Sequence, residues 1–476
     1  MFPDRRGACV SAALAILTML FSSPKGGSAR AQVPDLAVNG TIRAVTLPEA
    51  LAFARAHQPA VRAALARVVE QQALAGVPRA QWYPFLGLTA QLLEGTANNT
   101  TASYVSVDPL DIPRIGGTPS VTGKNAGWKP TASTLAAVGL NQEVFDFGRI
   151  AAQAAAADAQ VVVAGHEADA VRLDIDLDVA EAYFAVNAAK SILRAAEDAY
   201  QRSKVHRDFA QAGVRSGLHS PIELTRAEAD LTRFVTGRIR ARGGLSAAQV
   251  VLAASIGSPE PALDAADVPV TLSELPAIAQ ALQQAQQKDP RLQEALARLR
   301  AQEAQTSAAA ALMRPDLQMT GTLSGRAGDA APSGSAASPW GDGFVPNVPN
   351  WDVGLVLSWP LFDPTVRARA QVSRAGEQVR HEEIDDTREQ LVAAVEQAYV
   401  AVEIARQALP ALQRELRAAE ANYAQADARF KAGLGTSVEL ADAEALRTEA
   451  DIRVAIGTFD LAKARAAFGR VIAEGL

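Results

Sequence analysis

The sequence predicts a mixed α and β membrane protein made of two tandem copies of one unit, each supplying two short strands and a long antiparallel helical hairpin. Three observations lead there. Segments recur at a nearly fixed separation, heptad seams run through two long helix-forming stretches, and four alternating segments stand beside aromatic residues.

The repeat is explicit. LPEALAFARAHQPAVRAALAR (Leu47 to Arg67) returns as LPAIAQALQQAQQKDPRLQEALAR (Leu275 to Arg298). Pro59 answers Pro290 and Pro84 answers Pro315, both at a separation of 231 residues. Further on, VFDFGR (Val144 to Arg149) meets LFDPTVR (Leu361 to Arg367), EAYFAV meets QAYVAV, and VRSGLHSPIELTRAEADL meets FKAGLGTSVELADAEALR, with the separation now 216 or 217. A separation that changes once, between two Gly- and Pro-rich stretches, indicates a duplication with loops of unequal length. Two long copies are too few for a solenoid. The expected organisation is a signal peptide over 1–31, a first copy over 32–257, a linker over 258–272 and a second copy over 273–476.

The signal peptide is read from Arg5 and Arg6, the apolar run Ala8 to Phe21 and the Ala29-Arg30-Ala31 cleavage signal. Its removal leaves 42 basic and 51 acidic residues, a net charge of −9, and takes away Cys9, the sole cysteine. Disulfide, thiol and cysteine–zinc chemistry are thereby excluded, and the acidic balance argues against nucleic-acid binding. No mature segment reaches the roughly 18 to 20 uninterrupted apolar residues of a membrane-spanning helix, so any membrane residence must use another architecture.

From Gly148 to Gly213 the chain has no proline and is rich in helix formers. Val179, Ala182, Val186, Ala189, Leu193, Ala196 and Tyr200 form a heptad seam whose twin is Val395, Ala398, Val402, Ala405, Leu409, Leu412 and Leu416. Each seam ends in a Gly-containing break, Gly213 to Pro221 and Gly433 to Thr436, followed by a second amphipathic helix, so each copy folds into a helical hairpin. Ser220 with Pro221, and Thr436 with Ser437, are N-cap chemistry, with Glu223 and Glu439 as capping-box partners. Pro410 is expected to bend its helix. Gly217, Gly433 and Gly435 are expected to serve turn geometry.

Leu86 to Leu92, Leu317 to Leu323 and Val353 to Trp359 alternate apolar and polar residues, and Thr134 to Val144 does so more weakly. About ten residues is the length of a tilted strand crossing a bilayer. Trp82, Tyr83, Trp128, Trp351 and Trp359 suit interfacial girdles. The strands of each copy are joined by a polar loop, Thr96 to Pro130 and Arg326 to Pro349. Four strands cannot close a membrane barrel, so the chain is expected to oligomerise, and neither copy is expected to fold alone.

Over Thr46 to Ile472 the chain resembles the TolC-like outer-membrane efflux protein family. The resemblance is most specific in the tandem layout, the corners VFDFGR and LFDPTVR, and the turns AGVRSGLHSPIEL and KAGLGTSVELADAE. It implies a homotrimer whose twelve strands form an outer-membrane β-barrel in contact with lipid, and whose helices continue as a barrel in the periplasm. It also implies a periplasmic adaptor and an inner-membrane pump as partners, a passive exit duct as function, and no cofactor. By the same resemblance Glu439 and Asp442 line the pore constriction, where carboxylates favour cations and suit divalent metals. Glu223 and Arg226 stand beside the gate, and Gly217, Ser220, Pro221, Gly433, Gly435 and Thr436 form the tip where the adaptor docks. The family's basic gate residue falls on Gly435 here, a departure from its charge-locked pattern.

A second reading keeps Glu439 and Asp442 as a solvated helix face, with Glu439 merely completing a cap. The long hairpins alone would also permit a periplasmic coiled-coil adaptor or scaffold. Against an enzyme, the chain has no G-x-x-x-x-G-K-[ST], H-E-x-x-H or G-x-S-x-G motif, and His57, His166, His206, His219 and His381 form no helical metal pair.

Overall fold

The computed structural model describes residues 42–96, 130–217, 220–267, 274–328 and 348–474. The predicted signal peptide, nearly all of the two polar loops, Trp128 and His219 lie outside the described residues. Strand β1 (Ala44–Val45) precedes α1 (Leu47–His57), α2 (Pro59–Ala80), β2 (Phe85–Thr96), β3 (Pro130–Phe145), α3 (Arg149–Arg215) and α4 (Pro221–Ser255). After β4 (Asp264–Ala265) the order repeats as α5 (Ile278–Lys288), α6 (Pro290–Ala311), β5 (Asp316–Gly328), β6 (Val348–Ser358), α7 (Pro364–Lys431) and α8 (Ser437–Val471). With 67 and 68 residues, α3 and α7 are each about 100 Å long.

The paired motifs of the sequence do paired structural work. In the two strand-to-helix corners the same aspartate holds the start of a long helix. Asp146 accepts from the amides of Gly148 (3.0 Å) and Ile150, and Asp363 from those of Thr365 (2.8 Å) and Val366 (3.2 Å). The residues before Pro59 and Pro290 also match in role. Gln58 Nε2 donates to the terminal carbonyl of Ser255 in α4 (2.8 Å), and Asp289 lies 3.4 Å from Arg470 Nη1 at the end of α8. Thus α2 starts where α4 stops, and α6 where α8 stops. Gly257 takes φ +68° there, and a side chain on it would press on the Gln58 backbone at 3.1 Å.

The heptad seams bury their strongest members. Val179 and Val186 in α3, and Val395 and Val402 in α7, are fully enclosed, with Leu409 6% exposed. Helix α3 packs against α2 and α4 of its own copy and against α6 and α8 of the other. Against α6 the packing is between small residues, Val163 on Ala297 and Ala301. Tyr183 is fully buried, its hydroxyl donating to the Ala266 carbonyl (2.7 Å) beside the parallel pair β1–β4. That pair, with β4 inside the predicted linker, is not foreseen from the sequence because two-residue strands leave no periodic signal.

Two local expectations are corrected. Helix α3 runs through Gly213 to Arg215, because the left-handed turn is made by Gly217 instead. The capping box at Ser220 does not form, and only half of the one at Thr436 does, as described below. Helix α7 includes Pro410 within its span.

The four long strands form one antiparallel sheet in the order β2-β3-β5-β6, so the copies join at β3–β5. One register line, Leu88, Val138, Leu323 and Trp351, crosses all four strands on one face. These residues are 77%, 44%, 62% and 78% exposed, and Leu86, Leu92, Val353, Leu355 and Leu357 extend the same apolar surface. The opposite face carries Thr89, Gln91, Asn141, Thr320, Thr322 and Ser324. Apolar outside and polar inside is the pattern of a strand set between lipid and a water-filled lumen.

Candidate functional site

The two hairpin turns hold the residues singled out as tip and gate. Gly217 (φ +75°) and Gly433 (φ +73°) occupy the same position just past their helices. At Gly433 the turn is a complete Schellman motif: Gly433 N–H donates to Phe430 O (3.0 Å) and Leu434 N–H to Arg429 O (2.8 Å). Gly217 N–H donates likewise to Val214 O (3.1 Å). Gly435 has a different reason, since a side chain there would lie 3.2 Å from both Arg429 Cβ and the Phe430 nitrogen.

Thr436 caps α8 by accepting from the Glu439 amide (3.2 Å), but no bond returns from the Glu439 carboxylate to the Thr436 amide. Ser220 has N-cap backbone angles (φ −71°, ψ 144°), yet its hydroxyl makes no cap bond, and the Glu223 amide donates instead to the Ser220 carbonyl (3.0 Å). Glu439 is therefore not engaged as a capping-box partner. Both Glu439 and Asp442 are exposed, and at three residues apart they share one face of α8. Arg226 is exposed on α4 and Glu223 is half-buried. Among the described residues no ion pair joins Arg226 to Glu223, Glu439 or Asp442.

A pair that sequence reasoning missed locks the hairpins to each other. Arg202 of α3 donates through Nε to both oxygens of Glu444 on α8 (2.9 Å each), with Nη2 also at 2.9 Å from Oε1. Glu444 is buried and its Oε1 also accepts from Thr448 (3.1 Å). Near this pair His206 is shielded between α3, α4 and α7. Burial pushes the imidazole below the ordinary histidine range, against the pull of the Asp230, Asp427 and Glu223 carboxylates. A base that is harder to protonate when folded stabilises the fold above its unfolded pKa, and that stability is lost as pH falls through the histidine range. The thermal midpoint is therefore expected to fall more steeply between pH 7.5 and 5.5 in the wild type than in His206→Gln. Parallel slopes would remove His206 from the account.

The comparisons with known proteins agree with this architecture. The sequence profile of the family "Outer membrane efflux protein" matches residues 51–258 and 281–471, one segment per copy. Protein CyaE of Bordetella pertussis is 28% identical over 405 residues, covering 84% of this chain and 78% of that protein. The CmeC outer membrane channel of Campylobacter jejuni superposes with a TM-score of 0.70 at 14% identity, covering 96% of this chain and 94% of its own. The MtrE outer membrane channel of Neisseria gonorrhoeae, solved in its open state, gives a TM-score of 0.66 at 20% identity, with 92% and 93% covered. With both copies matched by the profile and the whole layout shared with solved channels, the chain belongs to the outer membrane efflux protein family, the non-enzymatic outer-membrane channels of tripartite efflux and secretion systems.

Proposed function

We propose that three copies of this chain close a twelve-stranded barrel in the outer membrane, and that their helices continue it as a periplasmic duct to which an adaptor and an inner-membrane pump attach. The observation that carries this reading is the open sheet. Among the described residues strands β2 and β6 leave two edges without a partner beside an exposed apolar face, and lipid cannot satisfy edge amides and carbonyls. Four strands from each of three copies would pair every edge.

The helices support the same assembly. Val372, Val379 and Val400 of α7 lie in heptad phase and are 73%, 54% and 53% exposed, while Leu65, Val69 and Val77 of α2 are exposed on the opposite edge of the helical layer. Two unpartnered apolar edges on one protomer suit a head-to-tail ring. Replacing Val379 and Val400 together by Asp is expected to shift detergent-extracted protein from trimer to monomer on native gels. An unchanged trimer would exclude α7 as a subunit seam.

In this assembly Glu439 and Asp442 face the pore and form a carboxylate constriction, with Arg226 and Glu223 beside it on the first hairpin. Their exposure in the protomer, and the failure of Glu439 to serve as a capping partner, favour that role over plain helix capping. Gly217, Ser220, Pro221, Gly433, Gly435 and Thr436 form the adaptor-docking tip. Ile222 (55%), Leu434 (74%) and Val438 (46%) stand exposed among them, as a protein-contact surface requires.

A further inference from the structure

Directly behind the tips, between the last turns of α7, the first turns of α8 and the neighbouring stretches of α3 and α4, the two hairpins of one protomer line a partly open cavity of about 280 Å³. One wall is aromatic. Phe430 stands edge-on to His206 (centroids 4.9 Å apart) and to Phe209 (5.5 Å), and Phe234 closes the side formed by α4. Phe234 and Phe430 are 9% and 5% exposed.

The polar groups of this cavity are unevenly satisfied. Lys431 is held by Asp427 (2.7 Å) and Arg202 by Glu444, so those charges cancel in pairs. Among the described residues Asp230 pairs only with Arg233 at 3.8 Å, a distant and exposed partner. His206 Nε2 is buried without a hydrogen-bond partner, an uncommon state for a polar atom inside a folded protein. Burial keeps the imidazole neutral, so in the Nδ1-protonated tautomer Nε2 is an acceptor. One under-compensated carboxylate, one unused acceptor and several aromatic rings together favour a cation with hydrogens to donate. The volume is below that of pockets for drug-sized ligands, which limits the occupant to a small molecule.

We propose that this inter-hairpin cavity binds a small arylalkyl primary ammonium ion, its ring against Phe234 and Phe430 and its ammonium donating to the Asp230 carboxylate and to His206 Nε2. Leu440 and Ala441 line the cavity from the inner face of α8, while Glu439 and Asp442 beside them are exposed, so the site backs onto the proposed constriction without using its carboxylates. An occupant touching α3, α4, α7 and α8 favours whichever arrangement of the hairpins keeps the cavity intact, and so opposes their separation.

Tryptamine is the probe. It is titrated calorimetrically at pH 7.5 into the full-length mature protein in detergent, with protein-free micelles as the blank. Saturable binding at one site per chain is expected, at least ten-fold weaker for indole, which lacks the ammonium. Asp230→Asn, which keeps the shape, should weaken tryptamine at least ten-fold, and Ala441→Phe, which fills the cavity, should abolish binding. Asp385→Asn, on a distant part of α7, should leave it unchanged. If Ala441→Phe fails to assemble, Asp230→Asn decides the question. No saturable signal above the micelle blank, or binding unchanged in Asp230→Asn or for indole, overturns the proposal.

Discussion

Replacing Glu444 by alanine is expected to destabilise the periplasmic end of the protein by about 2–3 kcal/mol, less than for a fully buried pair because the charge left without its partner, Arg202, is half-buried. Arg202 would remain half-buried at 22% exposure, stripped of the carboxylate that its Nε and Nη2 both reach, with no second acid among the described residues bonded to it. The effect should appear as a lowered midpoint in thermal or denaturant unfolding of detergent-solubilised protein. Arg202→Ala should cost a similar amount. Because the pair links α3 to α8, its rupture should also free the second hairpin to move against the first, and limited proteolysis should then cut near Gly433. The double replacement Arg202→Met with Glu444→Met removes both charges at once and is expected to recover most of the stability. A loss under about 1 kcal/mol in Glu444→Ala would mean that the pair behaves as a surface salt bridge.

The second large effect concerns conduction. Glu439→Ala with Asp442→Ala removes two exposed carboxylates from each copy at the turn of α8. In planar bilayers single-channel conductance should rise and the preference for cations over anions should fall towards unity if, as proposed, these carboxylates form the ring that concentrates cations. The folded protein should be as stable as the wild type within about 0.5 kcal/mol, since both positions are exposed and the α8 cap is made by the Thr436 hydroxyl and the Glu439 backbone amide, which alanine keeps. Unchanged conductance and selectivity would move the constriction to other residues.

The parts of this fold that were legible in the sequence are those written in local patterns. The repeat itself gave the order of elements, and period two gave the four long strands. Spacing of seven placed Val395, Val402 and Leu409 in the core of the second hairpin, where they are buried. Asp146 and Asp363 fell in the two corner motifs, and both cap a helix. Glycine at the turns was equally readable, since only a residue tolerant of positive φ fits Gly217 and Gly433.

What escaped depends on residues far apart in the chain. Arg202 and Glu444 are 242 residues apart, and on its own helix Glu444 looks like one more acid near Glu439 and Asp442. Gln58 bonds to a carbonyl 197 residues away, and nothing in its neighbourhood marks it as the cap of another helix. His206 had no metal-pair spacing, and its interest arises only from the aromatic rings that α4 and α7 place around it. The capping boxes failed for the opposite reason. A correct local pattern at Ser220 was overridden by the geometry of the turn, which uses the serine carbonyl and not its hydroxyl.

The central claim is that one chain cannot close its own barrel. It is tested most directly by native mass spectrometry of protein extracted from outer membranes in mild detergent, with the detergent removed in the gas phase. The account predicts a single species of three chains, stable while the sheet edges are paired β6 to β2 between neighbours. A stable monomer in the outer-membrane fraction would contradict it, because an open four-stranded sheet would then be surviving in lipid.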